Sequence, residues 1–425
     1  MKILIRNGRV IDPASGLDAI QDIYVAAGRI VAMGQAPADF HANHEIDATG
    51  LVVAPGLVDL AVRLREPGLE YMATLESEMH AAAAGGITSL ACPPDTDPPL
   101  DEPGLIEMLK FRAKNSPGPR VYPIGALTWK LKGERLTEMG ELHEAGCVAF
   151  SQADTPMANT QVMLRALEYA STFDLPVWLR PQDAYLGKDG VVHDGVVSAR
   201  LGLPAIPVPA ETVALQTIIL LVRETGARVH FCRLSSRAGV DMVRKAKADG
   251  LPITCDVAIH HVHLTEMDVA DFNSNCHVEP PFRSQRDRDA LRQAIKDGVI
   301  DAICSDHAPV DDDAKEKPFQ ESEPGITGVE LLLPLTLKWA REAGLGLADA
   351  LATITSKPAD ILGVDAGRLA VGRPADLCLF EPDATWTVSE KSLRSLGKNS
   401  PFLGHELQGR VRYTVIDGHI DYKAN

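Results

Sequence analysis

Charged side chains stand at the carboxyl ends of several strand-like runs in this sequence. They comprise four arginines, an aspartate and a histidine: Arg63, Arg65, Arg180, Arg233, Asp306 and His307. A guanidinium is a planar fork of N–H donors that binds carboxylates or phosphates, whereas an aspartate beside a histidine can hold a metal ion or transfer a proton. If these strand ends meet, the sequence predicts chemistry based on buried charge.

Apolar strand-like runs alternate with helix-length amphipathic segments through the middle of the chain. This alternation is typical of βα units around a parallel sheet, and eight runs predict an α/β fold of the closed (β/α)8 TIM-barrel type. A doubly wound open sheet is the alternative. In a barrel the carboxyl ends of the strands gather at one mouth, which would bring the charged residues together. The eight runs are residues 57–64, 87–93, 120–127, 147–152, 176–180, 228–234, 253–260 and 301–308.

The two ends of the chain have a different pattern from the middle. Short runs rich in β-branched residues are separated by turn residues such as Asn7-Gly8, which indicates hairpin strands. We expect residues 1–52 and 366–425 to pair into one small β-sandwich domain and residues 53–365 to form the barrel. A long loop is expected at about 182–210.

Composition and charge exclude several classes of protein. The 425 residues are 45% hydrophobic and 24% charged, which is typical of a globular chain. No run is long and apolar enough to span a membrane, and the start lacks the apolar stretch of a signal peptide, so we expect a cytoplasmic protein. A net charge of −16 argues against binding nucleic acid. The seven cysteines form no CxxC pair, and we expect buried thiols.

Several segments resemble the dihydroorotases of the amidohydrolase superfamily. The similarity extends over essentially the whole chain, and the family has the barrel and the two-ended β domain predicted above. The matching segments are Ala54-Pro-Gly-Leu-Val-Asp-Leu60, Leu64-Arg-Glu-Pro-Gly68, Asp95-Thr-Asp-Pro-Pro99, Leu131-Lys-Gly-Glu134, Val148-Ala-Phe-Ser151, Glu279-Pro-Pro-Phe-Arg283, Asp301-Ala-Ile-Cys-Ser-Asp-His-Ala-Pro309, Pro324-Gly-Ile-Thr-Gly-Val-Glu330 and Asn399-Ser-Pro-Phe-Leu-Gly404.

The resemblance implies a binuclear zinc centre, but its ligand positions are changed here. Where the family has histidines and a bridging aspartate, this chain has Ala61, Arg63, Gln152-Ala153, Arg180 and Arg233, and of the metal-site positions we assign only Asp306 as kept. Arginine stays protonated and has no lone pair for a metal. We therefore expect no zinc and no other cofactor.

The family's substrate positions are also altered. Arg65, which in the family holds the substrate carboxylate, is present. Asp95 and Glu279 replace asparagines, and Val310 replaces the histidine that closes the family's HAPH motif. Two interpretations follow. Either Arg63, Arg180 and Arg233 form salt bridges with Asp95, Glu279 and Asp306, or these arginines together with Arg65 bind an anion such as a carbamoylated amino acid.

Two histidine-containing segments look like metal sites but are not interpreted as such. His260-His-Val-His263 resembles an imidazole cluster, yet the family carries a histidine pair here outside its zinc site. His307 belongs to a retained motif, and we expect it to form hydrogen bonds. Asp306 and His307 are thus vestiges of a catalytic site.

A barrel that keeps its scaffold and loses its metal ligands is typical of a pseudoenzyme. The family includes noncatalytic chains that associate with the catalytic chain of bacterial aspartate transcarbamoylase, and the resemblance implies such a subunit in pyrimidine biosynthesis. We expect a homodimer within a larger hetero-oligomer. The alternatives are an active dihydroorotase or other cyclic-amide hydrolase, for example with a single metal on Asp306 and His307, and an anion-sensing subunit.

Overall fold

Both ends of the chain join one continuous β-sheet of eight strands in the computed structural model, which describes residues 1–424. Strands are numbered in chain order, and the sheet order is β18-β17-β16-β5-β1-β2-β3, with β4 paired to β1. The predicted pairing of the two ends is therefore confirmed. The strands are β1 Lys2–Asp12, β2 Leu17–Ala26, β3 Arg29–Met33, β4 His44–Asp47, β5 Val52–Pro55, β16 Leu377–Thr387, β17 Glu406–Ile416 and β18 His419–Lys423.

The middle of the chain forms the predicted barrel. Its eight parallel strands follow one another in chain order. A bridge between Val62 and His307 joins the extension of the first strand to that of the last, with Arg63 N donating to His307 O at 3.0 Å. This closure excludes the open sheet. The strands are β6 Leu57–Asp59, β7 Ile87–Cys92, β8 Arg120–Ala126, β9 Ala149–Ser151, β10 Val177–Leu179, β13 Val229–Phe231, β14 Ile253–Ala258 and β15 Ala302–Cys304.

Helices cover the barrel wall, and side-chain caps fix where several of them begin. Asn159 accepts hydrogen bonds from the amides of Gln161 and Val162 at the start of α4, and Ser236 accepts one from the Gly239 amide at the start of α7. The helices are α1 Leu75–Ala84, α2 Pro103–Lys114, α3 Met139–Ala145, α4 Thr160–Thr172, α5 Val196–Leu201, α6 Val208–Thr225, α7 Arg237–Ala248, α8 Gln285–Lys296, α9 Asp312–Glu316, α10 Leu332–Ala343, α11 Leu347–Ala352 and α12 Ser356–Leu362.

The segment expected to be a long loop carries short elements of its own. Strands β11 Val192–His193 and β12 Ala205–Ile206 pair in parallel around α5. Buried Arg283 donates to the Ile206 carbonyl at 2.6 Å and ties the segment to the barrel. Hydrogen bonds to residues far away in sequence order this segment, which explains why its local pattern did not predict it.

The two largest of the buried apolar clusters lie one in each part of the molecule. The larger lies between the barrel strands and their helices, and the smaller lies under the terminal sheet around Ile3, Val25 and Leu377. Six of the seven cysteines are buried as free thiols, as expected, and Cys232 is half-buried. Among residues 1–424, no helix has the length and apolarity that crossing a bilayer requires.

Candidate functional site

Four residues at the barrel mouth have an unusual backbone conformation. Arg65, Ala153, Arg233 and Asp306 all follow barrel strands and all have positive φ angles between 47° and 61°. This left-handed region is uncommon for residues other than glycine, and such strain clusters at functional sites. A hydrogen bond stabilises this conformation at Arg233, whose amide donates to the carboxylate of buried Asp256 at 2.6 Å.

Arg63 is at the centre of the mouth and pairs with three carboxylates. Its guanidinium lies 2.7 Å from Asp95, 2.5 Å from Asp154 and 3.0 Å from Asp306. The Arg63 side chain is 7% exposed, so these contacts form largely out of water. Each of its terminal nitrogens therefore has a carboxylate partner, as a buried guanidinium requires.

Asp154 is the shared partner of all three buried arginines. Its carboxylate accepts hydrogen bonds from Arg63 and Arg233 and lies 2.8 Å from Arg180 Nε in an ion pair, while Arg180 donates to the Asp154 backbone carbonyl at 2.6 Å. Although burial alone raises the pKa of Asp154, the charges of Arg233, Arg63 and Arg180 together hold that pKa well below its usual range. Asp154 thus stays an anion, and it is the one carboxylate that pairs with all three of these arginines.

Two further ion pairs complete the arrangement, which we name the arginine cluster. Arg233 lies 2.9 Å from Asp306, and Arg180 lies 3.2 Å from Glu279. Burial raises the pKa of Glu279, and the Arg180 charge lowers it. The cluster thus consists of three arginines and four carboxylates: Arg63, Arg180, Arg233, Asp95, Asp154, Glu279 and Asp306.

Sequence reasoning missed Asp154. The resemblance implies the bridging position at Gln152-Ala153, whereas the nearest carboxylate in the structure comes one residue later, after the left-handed turn at Ala153. The Gln152 side chain points elsewhere, donating to the Leu131 carbonyl and accepting from Thr128. The signal that could have identified Asp154 is its place in the sequence, directly after Gln152-Ala153 at the end of a barrel strand.

Arg65 lies beside the arginine cluster without joining it. Its Nε donates to the Pro309 carbonyl at 2.8 Å, and it pairs with no carboxylate within residues 1–424. It lines a mouth cavity of about 210 Å³ together with Glu279 and Glu323. Val310 is buried, and its amide donates to Asn399. The ion-paired arrangement predicted from the sequence is therefore present. Among the arginines that line this cavity, Arg65 differs in having no carboxylate partner within residues 1–424.

The residues at this mouth do not fit a binuclear zinc centre. Ala61 and Ala153 offer only methyl groups, and only about 30 Å³ of cavity remains beside them, next to Trp178 and Cys232. Arg63, Arg180 and Arg233 place cations where ligands would stand, and the carboxylates that could bind metal already pair with them.

A single metal on Asp306 and His307 does not fit either. His307 Nε2 lies 2.6 Å from Glu78, and its Nδ1 accepts from the amide of Gly328 at 3.2 Å. Both ring nitrogens of His307 are therefore engaged away from Asp306. This engagement is in line with the hydrogen-bonding role expected from the sequence.

The remaining histidines do not gather into one site. His261 and His263 bond the carbonyls of Pro280 and Leu335. His260 lies 4.0 Å from Asp306, and burial lowers the pKa of His260 to about 3. A group that the sequence analysis did not single out lies deeper: the ligand atoms of His230, Cys232 and Asp256 lie within 4.8 Å of one another. His230 Nε2 is already hydrogen-bonded to Asp256 at 3.0 Å.

Buried Asp59 at the end of β6 makes the stability of the fold depend on pH. Its carboxylate accepts from the amides of Ser305 and Ala61, but burial prevails and raises the pKa of Asp59 from 3.8 to about 7. Between these values the folded chain holds a proton that the unfolded chain has lost. The stabilisation is therefore complete below about pH 4 and is lost as the pH rises through about 7.

We therefore expect Asp59→Asn to gain stability relative to the unmodified chain as the pH rises. Asparagine keeps the acceptor oxygen and cannot ionise, so the difference in free energy of unfolding should move in its favour by about 3 kcal/mol between pH 5 and pH 8. Urea unfolding of both proteins at the two pH values measures this shift. A difference independent of pH would show that Asp59 ionises normally in the fold.

Two family models match this chain. The model described as dihydro-orotase-like matches residues 50–239, and that of the amidohydrolase family matches residues 183–420. The chain is 50% identical over the full length of both proteins to a dihydroorotase-like protein of Pseudomonas aeruginosa. It is 42% identical, again over the full length of both, to a dihydroorotase of Syntrophotalea carbinolica.

Solved structures show the same fold at lower identity. An L-hydantoinase from Arthrobacter aurescens matches with a TM-score of 0.86 and 24% identity over 98% of this chain and 95% of that one. A D-hydantoinase from Thermus sp. matches with a TM-score of 0.83 and 24% identity over 100% and 96%. The full-length identity to named relatives, together with the barrel and its terminal sheet, leads to one conclusion: the chain belongs to the dihydroorotase-like branch of the amidohydrolase family.

Proposed function

We propose that this chain is a noncatalytic dihydroorotase-like subunit of pyrimidine biosynthesis that supports the assembly and activity of the aspartate transcarbamoylase catalytic chain. The observation that carries the proposal is the arginine cluster. Three buried arginines, each paired with carboxylates, occupy positions at which the resemblance of this chain to the dihydroorotases implies zinc ligands. The partner is suggested by the resemblance to noncatalytic chains of the dihydroorotase family.

The chemistry of the cluster supports the absence of catalysis. Cyclic-amide hydrolysis in this family needs a metal-bound hydroxide, and guanidinium groups cannot supply one. Burial lowers the pKa of Arg63, but Asp95, Asp154 and Asp306 outweigh it and hold the pKa above its ordinary value. Arg63 therefore stays protonated and is not a general base. The relatives named dihydroorotase make an active hydrolase the competing function.

An exposed apolar surface offers a place for the partner chain. Val196 at the start of α5 is 82% exposed, and α5 packs against the 3₁₀ turn Glu266–Val269, where Met267 is 61% exposed. Tyr185, which precedes α5 by eleven residues, and Phe272, which follows the turn by three, are exposed as well. Exposed aromatic and Met side chains are typical of protein interfaces.

Co-expression with the transcarbamoylase chain of the same organism tests the proposal. We expect both chains to elute together at a mass that includes two copies of this chain, and transcarbamoylase activity to rise relative to the partner alone. The double variant Val196→Asp/Met267→Asp should lose co-elution, whereas Ile20→Asp, equally exposed but on β2, should retain it. Separate elution with unchanged transcarbamoylase activity would contradict the proposal.

Arg65 favours one secondary role, the sensing of an anion. Its guanidinium has no carboxylate partner within residues 1–424 and lines the mouth cavity. Five carboxylates line the same cavity and oppose an anionic ligand, those of Asp95, Asp154, Glu279, Asp306 and Glu323. A thermal shift with carbamoyl aspartate measures this role. A rise in Tm that Arg65→Ala abolishes would support it, and an unchanged Tm would exclude it.

A further inference from the structure

A second cavity lies at the opposite end of the barrel from the arginine cluster. It measures about 610 Å³, which is within the range of small-molecule sites. Its walls come from α2, the start of β8, the residues before β9 and the turn after β17. We name it the lower groove. It shares no residue with the mouth cavity.

The lower groove combines aromatic surface with positive charge. Phe111 is 71% exposed on α2, whose buried face is formed by other residues, so the core does not require this ring. Tyr122 from β8 lines the groove as a second, partly buried ring. Two rings lining one groove offer flat apolar faces against which a planar ligand can stack.

The charges of the groove oppose those of the whole chain. Lys110, Lys114 and Arg120 line it, and Asp417 is the single acidic residue among its walls. Arg120 is already paired with Asp417 and with buried Asp376, and Lys110 Nζ donates to the Ala145 carbonyl at 3.1 Å, so the charge offered to a ligand is that of the two lysines. Lys114 is exposed and forms no ion pair within residues 1–424. On a chain of net charge −16, this is a local cationic surface that would attract an anion.

We propose that the lower groove binds a small amphipathic anion: a planar ring that carries a phosphate or a carboxylate. The ring stacks between Phe111 and Tyr122, and the anionic group pairs with Lys114 and Lys110. Apolar walls with a few convergent polar groups are the general design of small-molecule sites. The site is independent of the arginine cluster, and its function does not depend on a partner chain.

Calorimetric titration of the full chain tests the site with defined probes. We expect saturable binding of 1-naphthyl phosphate or of 1-naphthoate, with the tighter of the two identifying the preferred anion. The neutral 1-naphthol and inorganic phosphate should each bind at least about tenfold more weakly, because each supplies only half of the recognition.

Two variants and two controls locate the binding. Phe111→Ala and Lys114→Ala change exposed side chains, so the fold should persist, and each should weaken binding by about tenfold. Phe173→Ala and Lys391→Ala, which are exposed elsewhere, should leave binding unchanged. No saturable binding of either anionic probe, or equal binding by all four variants, would overturn the proposal. Neither result affects the transcarbamoylase experiment, which has its own readout.

Discussion

Asp306→Ala should lower the free energy of unfolding by about 3–5 kcal/mol, because two buried guanidiniums each lose an ion-paired hydrogen bond that water cannot replace. Asp306 is 6% exposed at its side chain and pairs with Arg63 at 3.0 Å and Arg233 at 2.9 Å. Removing one partner of a buried pair costs far more than the pair contributes, since the remaining charge stays desolvated. Urea unfolding at pH 7 measures the loss.

Two matched variants separate burial from charge. Asp306→Asn keeps an acceptor oxygen and should cost less than Asp306→Ala. Asp289→Ala removes an exposed carboxylate that pairs with Arg288 at 2.9 Å and should cost less than about 1 kcal/mol. Equal losses for Asp306→Ala and Asp289→Ala would show that the arginine cluster is solvated and open rather than filled.

Restoring the family's metal ligands should give almost no dihydroorotate hydrolysis. The variant combines Ala61→His, Arg63→His, Ala153→Asp, Arg180→His and Arg233→His. Removing three arginines also strips counter-charge from Asp95, Asp154 and Glu279, which leaves repelling carboxylates in the mouth. The substrate positions remain altered at Asp95, Glu279 and Val310, so any zinc that binds would act on a poorly held substrate.

A second version of that variant omits Ala153→Asp, since Asp154 already places a carboxylate at this point. Both versions should stay at least about a thousandfold below an active dihydroorotase assayed in parallel, which corresponds to about 4 kcal/mol in barrier. Turnover close to that enzyme in either version would show that the metal ligands alone separate this chain from a hydrolase.

The sequence predicted the frame of the molecule because its period changes along the chain. Alternating apolar runs marked the eight barrel strands, and the arginines at 63, 180 and 233 marked the mouth, since strand ends must meet in a closed barrel. Residue type alone then indicated ion pairs with carboxylates.

Other features depend on positions that no local pattern specifies. Asp154 pairs with all three arginines because it follows a left-handed turn at Ala153, and the sequence alone does not show that turn. The lower groove joins α2 to the turn after β17, about 300 residues away in sequence. Likewise α5, which carries Val196, contacts the turn that carries Met267, in a segment that Arg283 ties to the barrel and that composition marks as loop.

The zinc content of the purified chain after growth with added zinc tests whether the arginine cluster has replaced a zinc centre. A chelator-treated sample and a Cys232→Ser variant are the controls. We expect far less than one zinc per chain, because the arginine cluster occupies the ligand positions. A zinc ion lost with Cys232→Ser would belong to the deeper His230, Cys232 and Asp256 group. Two zinc ions per chain, unchanged in that variant, would show that the arginine cluster has not replaced the zinc centre. Dihydroorotate hydrolysis would then become the leading function.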